Sequence, residues 1–205
     1  MQTPELVQNI TASLEKLKES ADELRDLDQE LGDGDLGITI TLGADAVIEA
    51  LKGLPAESTP AEVARAAAKA FASANPSTMA ALVAGGLLAG SKIWGTSTDI
   101  DTQSASEFVL AAAANISARG KAQLGDKTIL DSLIPAGEAL GSSTEPSAAL
   151  NAALEASEQG VEDTKAMQAR RGRASWLQER SIGLQDPGAT ALFRYLEAWK
   201  VALEK

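Results

Sequence analysis

The 205-residue sequence contains no cysteine and no histidine. The lack of cysteine excludes disulfide bonds, thiolate nucleophiles and cysteine-ligated zinc or iron–sulfur sites. The lack of histidine excludes Ser-His-Asp triads, histidine general bases, phosphohistidine and histidine-ligated zinc. Any chemistry on this chain must therefore use carboxylates, hydroxyls, lysine, arginine, backbone groups and bound metal.

Aromatic residues and positive charge are also scarce. Aromatic side chains make up 3% of the chain, so alanine, leucine, isoleucine and valine must build the core, which favours close helix packing over a sheet. Eighteen basic and 29 acidic residues leave a net charge of −11, which argues against binding to nucleic acid or to an anionic membrane surface. A phosphate-containing ligand would therefore need a cation as intermediary.

Segments that direct a chain to a membrane are missing as well. The first residues, MQTPELVQNI, show no basic segment followed by an apolar one, so they do not resemble a signal peptide. No apolar run reaches the ~18 residues expected of a membrane-spanning helix. The predicted location is the cytoplasm.

Apolar spacing and capping signals predict an all-α fold of about eight helices in one domain over residues 1–205. Thr3 is expected to cap the first helix, and capping boxes are expected at Thr59–Glu62 and Ser104–Glu107. No stretch alternates as a strand would. Short connections make neighbouring helices antiparallel, so we expect an up-down bundle or barrel. The predicted helices run over about 3–27, 36–52, 59–74, 78–94, 104–119, 128–140, 147–168 and 188–202.

Four polar clusters, at 28–35, 75–78, 119–128 and 170–188, fall in alternate connections between the predicted helices. They lie between helices one and two, three and four, five and six, and seven and eight. Alternate connections of an up-down bundle share one end, so the clusters should converge there. The sequence therefore predicts a ligand site at one end of the bundle.

The first cluster places Asp28, Asp33 and Asp35 on a turn that Gly32 and Gly34 make flexible. Like charges this close repel unless a cation lies between them. Oxygen-only ligation suits Mg²⁺, which keeps open positions for phosphate oxygens and water. The alternative is an ordinary acidic helix end on an acidic protein, and the metal site is the favoured interpretation of the two.

Two other interpretations of this turn fail. Residues 32–37 match the G-x-G-x-x-G pattern, but the pattern follows a predicted helix rather than a strand, which excludes a dinucleotide fold. An EF-hand loop beginning at Asp33 would need a glutamate at its twelfth position, where the chain has Ala44.

The later clusters carry weaker signals. Residues 125–128 precede a helix and could present N–H groups to an anion, although an ordinary capped turn fits equally well. Arg173 belongs to a basic run that suits phosphate, whereas for Arg170 and Arg171 a solvated surface is the preferred interpretation. The tryptophans are assigned to packing in the core or at its rim.

Three segments together resemble one family. LDQELGDGDLG at 27–37, RGKAQLGDKTILD at 119–131 and MQARRGRASWLQERSIGLQDPGA at 167–189 are similar to the DhaL-type nucleotide-binding domain of dihydroxyacetone kinases. The resemblance covers essentially the whole chain in order. It implies a barrel-like bundle of eight antiparallel helices that binds ADP or ATP at one end through two Mg²⁺ ions.

The resemblance also implies individual site residues. Asp28, Asp33 and Asp35 correspond to the metal ligands and carry the catalytic role. The implied nucleotide contacts are Leu36, Gly37, Ile38, Thr39, Ser77, Thr78, Gly120, Ile129, Arg173, Asp186, Pro187 and Gly188. The chain departs from the family at Leu36 and Leu184, where the family often has histidine, and at 74–78, where it usually has a glycine-rich segment.

The family holds its sugar covalently through a histidine on a separate domain or subunit, and this chain has none. The resemblance therefore implies a nucleotide-binding subunit of a kinase for dihydroxyacetone or a related short ketose, with a DhaK-like partner that holds the substrate. The phosphoryl donor is left open between exchangeable ATP and a phosphotransferase-system protein that rephosphorylates retained ADP. Homodimerisation is also left open. The alternative function is a nucleotide-sensing regulatory module without catalysis of its own.

Overall fold

The computed structural model describes residues 1–204 and confirms the predicted all-α fold. Within these residues no strand forms, and Gln2 and Asp99 make an isolated bridge. Short 3₁₀ segments cover Lys18–Ser20 and Arg173–Ser181. The α-helices are α1 (Thr3–Leu17), α2 (Ala21–Leu31), α3 (Leu36–Lys52), α4 (Pro60–Ala74), α5 (Thr78–Trp94), α6 (Thr102–Gly120), α7 (Leu130–Leu140), α8 (Pro146–Thr164) and α9 (Pro187–Leu203).

The first predicted helix is two helices in the structure. A 3₁₀ turn at Lys18–Ser20 separates α1 from α2, and α2 continues to Leu31, beyond the predicted end. Thr3 is not the cap: the cap position is Gln2, whose side chain makes no capping hydrogen bond. The remaining predicted helices match α3 to α9 with shifted ends, chiefly at α8, which ends at Thr164.

Capping explains where two helices begin. The predicted box at Thr59–Glu62 is confirmed, since the Thr59 N–H donates to Glu62 Oε2 at 2.8 Å and the Glu62 N–H donates to Thr59 Oγ1 at 3.3 Å. The predicted box at Ser104–Glu107 is wrong. Asp101 is the cap, because its carboxylate accepts the Ser104 N–H at 2.7 Å and its own N–H donates to Ser104 Oγ at 3.1 Å.

The helices pack in chain order and close into a ring. Each helix from α3 to α8 contacts the next one along the chain, and α9 closes the ring against α1. Close glycine contacts bring neighbours together: a Cβ added to Gly90 would lie 2.7 Å from the Phe108 ring, and one added to Gly137 would lie 2.9 Å from Val109. The bundle is therefore a closed antiparallel barrel of helices.

The core divides into two clusters. The larger draws leucine, isoleucine and valine side chains mainly from α1 to α4, and the smaller joins α6 to α7. The helical spacing of Leu192, Tyr195, Leu196 and Trp199 predicts that they form the buried face of the last helix. In the structure these four are only partly buried, and Ala189, Ala191 and Ala198 are the buried apolar residues after Pro187. No helix within residues 1–204 combines the length and apolarity needed to cross a membrane.

Candidate functional site

The four polar clusters meet at one end of the bundle, as the order of helices predicted. Three side-chain contacts join them. The Asn75 amide donates to Thr39 Oγ1 at 2.8 Å, which joins the α4–α5 connection to the first turn of α3. Arg173 forms an ion pair with Asp33. Lys127 Nζ donates to the Leu184 carbonyl at 2.5 Å, which joins the α6–α7 connection to the α8–α9 connection.

The acidic turn, residues 28–35, brings its three predicted ligands together. One carboxylate oxygen each from Asp28, Asp33 and Asp35 lies within 4.8 Å of the other two. Gly34 adopts a φ of +75°, a conformation that glycine takes without steric cost and that helps to reverse the chain here. Asp28 and Asp35 are half-buried and Asp33 is exposed. A trio of oxygen ligands at this spacing fits a hard divalent cation.

Asp28 also organises the backbone around the turn. Its Oδ2 accepts the N–H groups of Asp35 at 3.0 Å and Leu36 at 3.2 Å, so the last turn of α2 holds the first turn of α3. Burial raises the pKa of Asp28 above its usual value, and the nearby charges of Asp33 and Asp35 raise it further against those two N–H bonds. A cation among the three carboxylates would favour the ionised form of Asp28.

Positive charge reaches the acidic turn from the far side of the site. Arg173, whose side chain is half-exposed, pairs with Asp33. It lies at the start of the 3₁₀ segment Arg173–Ser181, which a non-helical residue, Gln178, divides in two. A guanidinium at this point offsets part of the repulsion among the three carboxylates and has the geometry to bind anionic oxygens in pairs.

The first turn of α3 presents little polar surface. Leu36 and Gly37 are buried, and a Cβ at Gly37 would collide with the Ala21 carbonyl. Thr39 is buried, and its hydroxyl accepts the Asn75 amide. Ile38, by contrast, is 59% exposed, so it is the side chain here that a ligand could cover.

The first turn of α5 lies beside the end of α6. Ser77 caps α5, because its Oγ accepts the Ala80 N–H at 3.1 Å, and Thr78 is exposed. The Ser77 hydroxyl hydrogen can still be donated to a ligand. Gly120, at the end of α6, faces Leu82 of α5 at ordinary contact distance.

The last group of predicted contacts lies at the start of α9. Asp186 caps this helix, since its Oδ2 accepts the Ala189 N–H at 2.7 Å, and Pro187 follows it, buried. Gly188 faces Ile129, so these two predicted contacts adjoin.

Asp186 is buried among charged groups. Burial raises its pKa to about 7, and the charge of Asp131 adds to this rise. The Ala189 N–H and the Lys127 ammonium oppose it.

Residues 125–128 form a capped turn rather than an open anion loop. Asp131 accepts the N–H of Gly125 at 2.5 Å and the N–H of Thr128 at 2.7 Å, so these donors are already used. Lys127 is 1% exposed. Its burial was missed by sequence reasoning, because a lysine beside an acidic residue in a polar turn normally lies in solvent.

The aromatic side chains have divergent surroundings. Trp94 is buried and stacks on Phe108 with ring centroids 4.1 Å apart, and Trp199 is half-buried beside Tyr195. Trp176, however, is 78% exposed, so its assignment to packing is wrong. Ser181 is the buried residue of the 3₁₀ segment that carries Trp176. This segment therefore has no apolar core against which the indole could pack.

Comparison with known proteins gives consistent matches. A family model described as the DAK2 domain matches residues 30–200. The chain is 31% identical over 186 residues to the ADP-binding subunit DhaL of a PEP-dependent dihydroxyacetone kinase from Escherichia coli strain K12, covering 89% of this chain and 88% of that protein. A DhaL subunit of PEP-dependent dihydroxyacetone kinase 1 from Listeria innocua is 34% identical over 185 residues, covering 85% and 84% respectively.

Two longer proteins match over about a third of their own length. L-erythrulose 1-kinase from Mycolicibacterium smegmatis is 31% identical over 201 residues, which is 95% of this chain and 35% of that protein. The crystal structure of the dihydroxyacetone kinase from C. freundii, in complex with AMP-PNP and Mg²⁺, superposes with a TM-score of 0.78. The alignment covers 98% of this chain and 34% of that one at 24% identity, which supports the shared fold.

Proposed function

The chain belongs to the DAK2 domain family, and from this premise we propose that it is the nucleotide-binding component of a two-part kinase for dihydroxyacetone or a related short ketose. In this proposal residues 1–205 act as one domain that carries ADP or ATP. A DhaK-like partner holds the sugar, and it also supplies the histidine that this chain lacks.

The observation that carries the proposal is the carboxylate trio of the acidic turn. Its oxygens lie within 4.8 Å of one another at the end of the barrel where the four polar clusters meet. A protein with a net charge of −11 repels a nucleotide's phosphates unless a cation screens them, and the trio is the place for that cation.

We propose that Asp28, Asp33 and Asp35 hold two Mg²⁺ ions. Bound there, the metal would neutralise charge on the nucleotide phosphates during phosphoryl transfer. Asp28 has a second task, because it also fixes the first turn of α3 through the Leu36 N–H. Arg173, already beside Asp33, would bind phosphate oxygens when the metal takes its place on that carboxylate.

The remaining predicted contacts would orient the nucleotide. Ser77 can donate its hydroxyl hydrogen, and Thr78 offers an exposed hydroxyl at the N-terminus of α5, where the helix dipole favours negative charge. Exposed Ile38 and the adjoining pair Ile129 and Gly188 would cover apolar parts of the nucleotide.

Native mass spectrometry tests nucleotide binding directly. The chain is expected to retain ADP or ATP in the presence of Mg²⁺ and to lose it when Mg²⁺ is chelated. Asp33→Asn should weaken Mg-ADP binding at least tenfold, or about 1.4 kcal/mol. The matched control is Asp26→Asn, since Asp26 is an exposed aspartate of α2 outside the trio. Equal binding by the two variants would contradict the metal assignment.

We propose that ADP is retained and rephosphorylated in place, with a phosphotransferase-system protein as the phosphoryl donor. The support is that the two DhaL subunits named above, which match over most of their length, are described as ADP-binding subunits of PEP-dependent kinases. Turnover with a DhaK-like partner and ATP alone should then be slow and limited by release of ADP. Fast turnover with ATP alone, together with rapid ADP release, would instead favour exchangeable ATP.

A further inference from the structure

The connection between α8 and α9, residues 165–186 and called the long connection below, closes on itself at a narrow neck. The Ala169 N–H donates to Ser181 Oγ at 2.9 Å, and the Gly183 N–H donates to the Lys165 carbonyl at 2.7 Å. These bonds bring the beginning and the end of the long connection together. The residues between them, including Arg173, form a loop that projects from the neck.

Lys127 fills the neck from another part of the chain. Its Nζ donates to three carbonyl oxygens: Met167 at 3.2 Å, Ser181 at 2.5 Å and Leu184 at 2.5 Å. These acceptors come from both sides of the neck, and they use all three hydrogens of the ammonium group. The Lys127 side chain is 1% exposed, so water does not replace these bonds.

The other contacts of the loop beyond the neck are made largely by exposed residues. Arg173 pairs with Asp33, and the 3₁₀ segment contacts α2. Arg170, Arg171 and Arg173 are exposed, and Trp176 is 78% exposed. Outside the neck, the Arg170 N–H donates to the Asp126 carbonyl at 3.0 Å, and Arg171 Nε lies 3.3 Å from an Asp126 carboxylate oxygen. Ion pairs between exposed side chains contribute little to stability. The position of the loop therefore depends chiefly on the neck, which Lys127, the residue next to Asp126, fills.

We propose that Lys127 is a positioning residue that fixes the long connection over the nucleotide site and thereby sets Arg173 opposite Asp33. This inference rests on the proposed function, because it assigns Arg173 to the bound nucleotide. Lys127 itself touches no ligand, since its three hydrogens are donated to backbone carbonyls. Its proposed effect on Mg-ADP binding is therefore indirect, through the loop that carries Arg173.

Removing the ammonium group tests the inference. Lys127→Met keeps an unbranched apolar chain, and Lys52→Met, at an exposed lysine of α3, is the matched control. We expect amide hydrogen exchange over residues 168–182 to become at least tenfold faster in Lys127→Met, with exchange in α1 to α5 unchanged. Mg-ADP binding should weaken about tenfold, and the control should match the unmodified chain.

A double variant separates positioning from a general structural role. If Lys127 acts through Arg173, then adding Lys127→Met to Arg173→Ala should weaken Mg-ADP binding by less than twofold beyond Arg173→Ala alone. Additive losses would overturn the inference, as would unchanged exchange over 168–182 or an equal rise in exchange throughout the chain.

The absence of cysteine allows the ammonium to be restored chemically. Lys127→Cys, alkylated with 2-bromoethylamine while unfolded and then refolded, carries an aminoethyl thioether that closely matches lysine in length. Slow exchange over 168–182 and tight Mg-ADP binding should both return, and failure of both to return in the refolded chain would overturn the inference. If Lys127→Met does not fold, Ser181→Ala, which removes the hydroxyl that accepts the Ala169 N–H, is judged by the same readouts.

The inference and the proposed function fail in different ways. If the unmodified chain binds no Mg-ADP, the proposed function is wrong, and the inferred effect on Arg173 falls with it. If the chain binds Mg-ADP and Lys127→Met leaves both exchange and binding unchanged, the proposed function stands and the role of Lys127 is wrong.

Discussion

Two connections at the same end of the barrel are built in opposite ways. In the acidic turn the key bonds join residues seven and eight positions apart, from Asp28 to the N–H groups of Asp35 and Leu36. In the long connection the key bonds join Lys127 to carbonyls 40 to 57 positions away. The first shape is encoded within its own segment, whereas the second depends on a residue from a different connection.

The two connections also differ in how exposed their charged side chains are. The acidic turn keeps three carboxylates at least partly open to solvent, where a cation can reach them. The long connection surrounds one ammonium group with backbone carbonyls and excludes water from it. An exposed cluster of like charges can bind a ligand. A buried charge whose hydrogen bonds are all made within the protein instead fixes the backbone conformation around it.

Among changes to these two connections and their supports, the largest expected effect comes from disturbing the support of the long connection. A Cβ at Gly160 of α8 would collide with the carbonyl of Asp131, the residue that caps the turn bearing Lys127. Gly160→Ala should lower the free energy of unfolding by about 3 kcal/mol, measured by urea denaturation. Gly53→Ala is the control, because its Cβ would lie 3.7 Å from the Ala50 carbonyl. Equal losses in both variants would contradict this account.

A slightly smaller effect is expected in the pH dependence of the free energy of unfolding, through Asp186 at the C-terminal end of the long connection. Burial raises the pKa of Asp186 from 3.8 to about 7, so between these values the folded chain holds a proton that the unfolded chain has released. Unfolding therefore releases a proton in this range. The contribution of the protonated Asp186 carboxyl to the free energy of unfolding is complete below about pH 4 and is lost as the pH rises through about 7.

Because of this proton, the free energy of unfolding should fall by about 2 kcal/mol between about pH 5 and pH 7. Asp186→Asn, which cannot ionise, should lack it, so the difference in unfolding free energy between the two chains should change by that amount across the range. Parallel pH profiles for the two chains would show that Asp186 ionises normally, despite the nearby charge of Asp131.

The acidic turn should respond differently to two changes at one position. Asp28→Ala removes the acceptor for two N–H groups and should lower the free energy of unfolding by about 1–2 kcal/mol. Asp28→Asn keeps an acceptor oxygen and should cost about 0.5 kcal/mol or less, yet weaken Mg-ADP binding at least tenfold. Titration calorimetry and urea denaturation measure the two effects. If both variants lose equal stability, Asp28 does not support the turn as described.

The smallest expected effect tests whether the long connection is held without apolar burial. Trp176 is 78% exposed, so Trp176→Ala should change the free energy of unfolding by less than about 0.5 kcal/mol. Trp94→Ala, which removes a buried ring stacked on Phe108, should cost about 3 kcal/mol or more. A large loss from Trp176→Ala would mean that the indole packs more tightly than its exposure indicates.

Local signals explain which parts of the fold could be predicted. Pro60 after Thr59 and the glutamate at 62 specify the start of α4 within four residues, and the structure has that capping box. At Ser104 a similar signal misled, because the Asp101 carboxylate accepts the Ser104 N–H that Glu107 would accept in the predicted box. Helix starts are thus predictable where one residue can cap, and ambiguous where two can.

Contacts between distant residues explain what could not be predicted. Thr39, predicted to contact a ligand, is buried, and Asn75 of the α4–α5 connection donates to its hydroxyl. The N–H groups of Gly125 and Thr128 are already bonded because the Asp131 carboxylate accepts both of them. The short-range pattern around each residue is the same whether or not such a partner reaches it.

The sequence by itself determined the all-helical class, the order of the helices and the grouping of the polar segments at alternate connections, because spacing and capping act over a few residues. Only the tertiary structure decided that Lys127 is enclosed, that Arg173 meets Asp33 and that Trp176 lies in solvent. Burial and charge pairing depend on which surfaces meet when the barrel closes, and the closing contact joins α1 to α9, helices at opposite ends of the chain.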